Sequence, residues 1–396
     1  MIAACYCMSI TMSVVSNLPP LLFLTFREQF GLSYSLLGLL ILVNFSTQLA
    51  IDLVFSFFSH KFNIPKTVKL MPWIAFVGIL VYVAAPLVAP RAPFAGMLLG
   101  TLIFSAASGL AEVLISPVVA ALPSDNPERE MSKLHSVYAW GTVFVVIAAT
   151  FILSANIISW QILVLLFSLI PLASGLLFIG ADVPETKTGE KDENAFSLLK
   201  NSGVWLCVTA IFLGGAAELT MSQWASSYLE QSLGIPKVWG DVFGVAFFAA
   251  MLGFGRTLYS KKGKNIRRVL FFSAVGASAC YLTAALTENA FAGLFACGFC
   301  GFCTSMLWPG SLVVASERFP QGGVVIYAMM AAGGDLGASV VPQLVGIVTD
   351  TVMTNPAVMS LGIAPEQLGM RLGLLVGAIF PIVAIPIYYK IKKTGL

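Results

Sequence analysis

Twelve stretches of mostly apolar residues, each at least 20 long, punctuate the chain. They run over 3–25, 34–59, 69–88, 94–122, 134–155, 158–180, 203–231, 238–259, 268–287, 289–316, 323–349 and 368–389. About 20 residues rising ~1.5 Å each cross the hydrocarbon of a bilayer. No water is available there to satisfy backbone N–H and C=O groups, so each stretch is expected to be a helix. The fold class expected is an all-α membrane protein of twelve transmembrane helices, with the lipid bilayer as its solvent. Charge content excludes the soluble alternative. Only 10% of the residues are charged and 58% are hydrophobic, against about 25% charged in a soluble domain. Residues Met1–Leu24 lack a basic leader and a small-residue cleavage site, so they are expected to be the first span rather than a removed signal.

Placement of charge suggests a sidedness. With the N-terminus in the cytoplasm, inner segments carry 18 of the 22 Lys and Arg residues, and outer segments carry only Arg27, Arg91, Lys237 and Arg371. Positive loops stay inside, so both termini are expected to be cytoplasmic, in a cell inner membrane.

The most polar run, Ala181 to Lys200, lies at the midpoint. It divides the chain into 1–180, a cytoplasmic linker 181–200, and 201–396. Two echoes relate the halves. After span 1 the chain reads Phe26-Arg27-Glu28-Gln29-Phe30-Gly31-Leu32-Ser33, and after span 7 Tyr228-Leu229-Glu230-Gln231-Ser232-Leu233-Gly234-Ile235-Pro236. Pro117 and Tyr138-Ala139 in spans 4 and 5 match Pro309 and Tyr327-Ala328 in spans 10 and 11. A duplication of six spans is the reading, which gives two pseudo-symmetric six-helix bundles.

Twelve spans, a polar central loop, inside termini and similar halves resemble the major facilitator superfamily. The basic loop after span 2, Ser56-Phe57-Phe58-Ser59-His60-Lys61, is a degenerate form of that family's motif, and Gly253-Phe254-Gly255-Arg256 with Lys261-Lys262-Gly263-Lys264 is a fuller one. Two segments resemble the fucose-permease-like sugar:proton symporters: Gly109-Leu110-Ala111-Glu112 in span 4, and Gly214-Gly215-Ala216-Ala217-Glu218 with Trp224 and Tyr228 in span 7. The resemblance implies a proton site at Glu112. The span-1 aspartate of those symporters has no counterpart here, where Asn17 is the nearest polar residue.

An ionisable group at the centre of a membrane helix costs at least ~2.5 kcal/mol. Asp52, Glu112, Glu218 and Asp335 are the acids assigned to the interior of spans, against one base, Arg256. At most one pair is possible, so three acids are neutral, hydrated or bound to a cation, and a desolvated carboxyl favours its protonated form. Glu112 and Asp335 are the expected proton-coupling residues. Glu218, near the middle of span 7, is expected to bind substrate. Asp52 and Arg256, nearer the span ends, are expected to act in a gate. Trp224, Tyr228, Tyr138, Trp140 and Trp308 offer faces for sugar rings, and Gln223, Asn17, Asn44 and Gln48 offer polar contacts.

Cys297-Gly298-Phe299-Cys300-Gly301-Phe302-Cys303 places its sulfurs along a helix stripe rather than around a centre, so no metal is expected. No nucleotide fingerprint or catalytic arrangement stands in a soluble segment. No cofactor and no nucleic acid are expected, and no enzyme. The function expected is a monomeric secondary transporter of a small, neutral, sugar-like solute, driven by protons (or sodium) through alternating access. A proton-driven exporter of cationic or amphipathic compounds is the alternative, since acids with aromatics also suit a cation.

Overall fold

The computed structural model describes residues 1–58, 61–123, 127–155, 157–184, 200–319, 323–359 and 363–393. Most of the linker expected at 181–200 lies outside them. Among the described residues, eleven helices are long and apolar enough to cross a membrane, and Trp140–Ser154 is a shorter apolar stretch. That stretch closes the helix Pro127–Ser154, whose first turns are the polar Pro-Glu-Arg-Glu-Met-Ser-Lys. All twelve expected spans are therefore helical, with ends close to those expected: span 7 is Ser202–Leu233, span 9 is Ile266–Leu286 and span 12 is Pro365–Lys393.

Short side chains set where spans begin. The side-chain oxygens of Asn63, Asn201, Asn265 and Asn289 accept from the backbone N–H groups of Lys66, Gly203, Arg268 and Ala292. Each satisfies a donor that the first helical turn leaves orphaned, so the chain enters spans 3, 9 and 10 after short connections and starts span 7 directly at the end of the central linker. Prolines set the interruptions. Span 1 stops at Leu21, just after Pro19 and Pro20, and a second helix runs Phe23–Phe30. Span 10 is two helices, Ala290–Thr304 and Leu307–Arg318, with Pro309 opening the second. Span 8 (Lys237–Lys262) carries a π-helical segment at Gly240–Ala246.

The first sequence echo has a physical cause. Gly31 and Gly234 are the two glycines with positive φ among the described residues, both at +64°. Each ends a helix in the left-handed conformation that side chains with a Cβ resist. Gly31 N–H donates to Arg27 O at 2.9 Å and Gly234 N–H to Glu230 O at 3.1 Å.

Two compact units result, Met1–Leu22 with Val43–Lys191, and Phe23–Leu42 with Asp192–Leu396. In the first, span 3 packs on spans 4 and 6, and span 1 on spans 4, 5 and 6. In the second, span 9 packs on spans 10 and 12, and span 7 on spans 10, 11 and 12. Adding six to each number of the first pattern gives the second, as a duplication requires. Glycine permits the closest approaches. A Cβ on Gly100 would lie 2.6 Å from Tyr82 backbone, and one on Gly301 would lie 2.1 Å from the Phe248 carbonyl. Backbones meet there without a side chain between them, which suits packing where lipid supplies no hydrophobic drive.

Candidate functional site

Glu218 stands mid-way along the span-7 helix Ser202–Leu233. Its carboxylate accepts from Arg256 Nη2 at 3.1 and 3.4 Å. Arg256 lies six residues before the end of the helix Phe247–Lys262, or ~9 Å along its axis. A long side chain there usually snorkels toward the headgroups. This one turns inward instead. The reason lies in span 10: Pro309 has no N–H, so the carbonyl four residues earlier, at Ser305, has no helical donor. Arg256 Nε donates to that Ser305 carbonyl at 3.1 Å. Three spans thus meet at one neutral ion pair. Its glutamate side chain is 10% exposed and its arginine 41%.

Trp308 lies one turn along. A Cβ on Gly215 would come within 2.9 Å of the indole ring, and one on Gly334 within 2.4 Å, so the ring rests against spans 7 and 11. Gly215 precedes Glu218 by three residues and Ser305 precedes Trp308 by three. Ring and ion pair are therefore on adjacent levels, ~4.5 Å apart along the axes. Asp335 follows Gly334 and is buried.

Trp224, Tyr228 and Gln223 are buried on other faces of span 7. Trp224 Nε1–H donates to Pro342 O at 2.9 Å, and its ring lies 5.4 Å from Phe23 and 5.9 Å from Tyr34. The Tyr228 hydroxyl donates to Ala284 O. Both polar handles are spent on backbone, and the structure does not bring these two aromatics to Glu218.

In the first unit the expected polar residues form a ladder. Ser105 Oγ donates to Asn44 Oδ1 at 2.7 Å, Gln48 Nε2 to Asn44 Oδ1 at 2.9 Å, and Ser108 Oγ to Gln48 Oε1 at 3.1 Å. Asp52 is four residues beyond Gln48, and Glu112 four beyond Ser108, so the two acids continue the ladder on spans 2 and 4. Asp52 is buried and Glu112 is exposed. Asn17 donates to Ser13 O at 2.9 Å and to Thr142 Oγ1 at 3.4 Å. Tyr138 is half-buried, and Trp140 is 70% exposed. Asp52 and Arg256, expected in one gate, belong to different units.

A sequence profile of the Major Facilitator Superfamily matches residues 2–342. The chain belongs to that superfamily. The fold agrees with this: a bacterial homologue of the human lysosomal transporter Spinster superposes with a TM-score of 0.75 at 13% identity, covering 99% of this chain and 96% of that one. The D-xylose–proton symporter gives 0.73 at 15%, covering 98% and 95%. FucP in its outward conformation gives 0.61 at 18%, covering 97% and 98%. No curated sequence matches significantly. The superfamily member described here is a multi-pass membrane transporter with the twelve-helix fold, and not an enzyme.

Sequence reading overlooked one buried acid. Asp241 lies inside the expected span 8, is 2% exposed, and pairs with Lys237 at 2.9 Å while accepting from Ser226 Oγ. The four-residue spacing of Lys237 and Asp241 was the available signal. It also left out a network in the second unit. Arg27 pairs with Glu366 at 2.8 Å, and the Tyr34 hydroxyl donates to the same oxygen at 2.6 Å. Asp350 accepts from Tyr34 N–H at 3.0 Å and Ser35 N–H at 2.6 Å. The seven cysteines are free, and no metal-holding cluster occurs among the described residues.

Proposed function

We propose that this transporter moves a small, neutral, sugar-like solute across the inner membrane by alternating access, coupled to protons. The halves 1–180 and 201–396 would be its moving bodies, with both termini in the cytoplasm, and the protein works as a monomer. The observation that carries the reading is the ion pair at mid-span: Glu218 and Arg256 sum to no net charge, and Trp308 lies one turn away. A site of that kind favours a polar solute without charge. Structural neighbours described as a D-xylose–proton symporter and as FucP, a fucose:proton symporter, support the same class.

Coupling is assigned to Glu112 and Asp335, the acids in spans 4 and 11 that lie outside the Glu218–Arg256 pair. Sodium is the competing coupling ion, since carboxylates ligate it as well. Export of cationic compounds is a weaker reading, because a cation at Glu218 would have to displace Arg256.

Proteoliposomes holding the purified chain test the proposal. Radiolabelled sugar should accumulate under an inward proton gradient. Movement of ethidium-like cations with no sugar-dependent proton flux would reject it. Glu112→Gln is expected to abolish proton-driven accumulation and to leave counterflow exchange intact; accumulation at the wild-type level would remove Glu112 from the coupling step.

A further inference from the structure

Arg256 has more donors than its partners use. Its Nε is taken by the Ser305 carbonyl and its Nη2 by Glu218. Among the described residues nothing accepts from Nη1. A guanidinium carries five N–H donors in a fixed plane, so two of them point away from both partners. The arginine is also the more exposed member of the pair, at 41% against 10%. Exposure of a cation to hydrocarbon at this depth would cost at least ~2.5 kcal/mol, so the open side of the guanidinium must face water. Neither partner can drift: Ser305 O is held by the break at Pro309, and Glu218 by the middle of a 32-residue helix.

We infer that Glu218 and Arg256 form a donor–acceptor dyad that recognises adjacent hydroxyl groups, with Arg256 contacting the solute directly rather than serving a gate. This rests on the sugar-like reading above and narrows it to vicinal diols. One hydroxyl accepts from Arg256 Nη1 while its neighbour donates to a Glu218 oxygen. A hydroxyl both donates and accepts, so a diol satisfies both members without separating them. The other ligand classes fit less well. A lone carboxylate would meet the Glu218 charge, and a lone cation would meet Arg256. An apolar solute would leave the open donors dry and unpaired, a cost that polar sites use to reject ligands. A zwitterion would match both charges, but it offers no C–H face to the Trp308 ring one turn along. A pyranose offers both the diol and that face.

The dyad also gives Pro309 a role. Its missing N–H frees the Ser305 carbonyl that aims the guanidinium. Pro309 is thus a positioning residue for recognition, acting through Arg256.

Binding to the purified full-length chain in detergent tests this, with a panel of hexoses, pentoses and their single-deoxy analogues, plus a zwitterionic amino acid. The wild-type protein should bind at least one sugar, and removal of one hydroxyl of a vicinal pair should weaken binding about 10- to 100-fold, the range for hydrogen bonds to charged groups. Arg256→Lys keeps the charge and loses the planar fork. It should lower sugar affinity at least about tenfold with little change in the melting temperature of the free protein. Glu218→Gln should lower sugar affinity by a similar factor. If either variant folds poorly, the exchanged pair Glu218→Arg with Arg256→Glu takes its place and should also lose sugar affinity. Wild-type sugar affinity in Arg256→Lys or Glu218→Gln would overturn the dyad and leave the sugar reading standing. Binding of the amino acid in place of sugars would overturn the diol. No binding of any hydroxylated solute by the wild-type chain would overturn the sugar reading, and the dyad with it.

Discussion

Two of the arginine–glutamate pairs described in the second unit are of nearly equal length, 3.1 Å at Arg256–Glu218 and 2.8 Å at Arg27–Glu366. Their surroundings differ. Arg27 uses both ends of its fork, Nη1 to Leu32 O and Nη2 to Glu366, and its guanidinium lies 3.8 Å from the Tyr34 ring centroid. Its side chain is 22% exposed. Arg256 leaves one end of its fork open and is nearly twice as exposed. A committed pair holds chain segments together, and an open pair can hold a solute. Depth reinforces the contrast: the Arg256 pair sits in the middle of span 7, whereas the Arg27 network joins the ends of spans 1, 2, 11 and 12.

The comparison breaks most visibly at the central pair. Arg256→Ala strands a carboxylate inside the helix bundle. Removing one partner of a buried pair costs about 3–5 kcal/mol, and the 41% exposure of this arginine puts the expected value near the lower end. Replacing both residues together, Glu218→Gln with Arg256→Gln, should cost clearly less, since no lone charge remains. Thermal unfolding of the single and double variants in one detergent measures the difference. Equal melting temperatures would mean that the pair contributes no coupling energy.

Next in size is the cap at the other region. Asp350 from span 11 accepts from the first two N–H groups of span 2, at Tyr34 and Ser35. A carboxylate at a helix N-terminus satisfies orphan donors and meets the positive end of the helix dipole. Asp350→Ala should therefore cost about 1–2 kcal/mol, and Asp350→Asn noticeably less because the amide oxygen still accepts. Faster amide exchange at Tyr34 and Ser35 in the alanine variant is the local signature. Unchanged exchange would show that the cap is not what holds the start of span 2.

How much of this was legible in the sequence depends on the reach of each interaction. Span positions were legible within a few residues, because about 20 apolar residues per crossing is a local rule. The duplication was legible too, and its first echo proved to encode Gly31 and Gly234, where only a residue without Cβ rests easily at φ +64°. The central ion pair was half legible. Counting charges allowed one pair, but the position of Arg256 near a helix end suggested a gate, since its inward turn depends on a carbonyl freed 49 residues later in the chain. Trp224 and Tyr228 looked like ligand contacts by type, but their donors meet Pro342 and Ala284 carbonyls 118 and 56 residues away. No local pattern marks the placement of Phe23–Leu42 in the second unit. Arg27, Asp350 and Glu366 are separated by more than 300 residues in sequence for each contact with spans 1 and 2.

The smallest expected effect tests the committed pair itself. Glu366→Gln removes a charge but keeps an oxygen that still accepts from Arg27 and Tyr34. Both members of the pair are partly exposed, 22% and 30%, and ion pairs with that access to solvent contribute about 1 kcal/mol or less. The melting temperature should therefore fall by only a degree or two, far less than for Arg256→Ala. Glu366→Ala should add the loss of the Tyr34 hydroxyl bond and cost more than Glu366→Gln, because the phenol then loses its acceptor. A large loss in Glu366→Gln would reverse the ranking of the two regions. The network at the span ends, and not the central pair, would then be the more strongly coupled electrostatic element of the second unit.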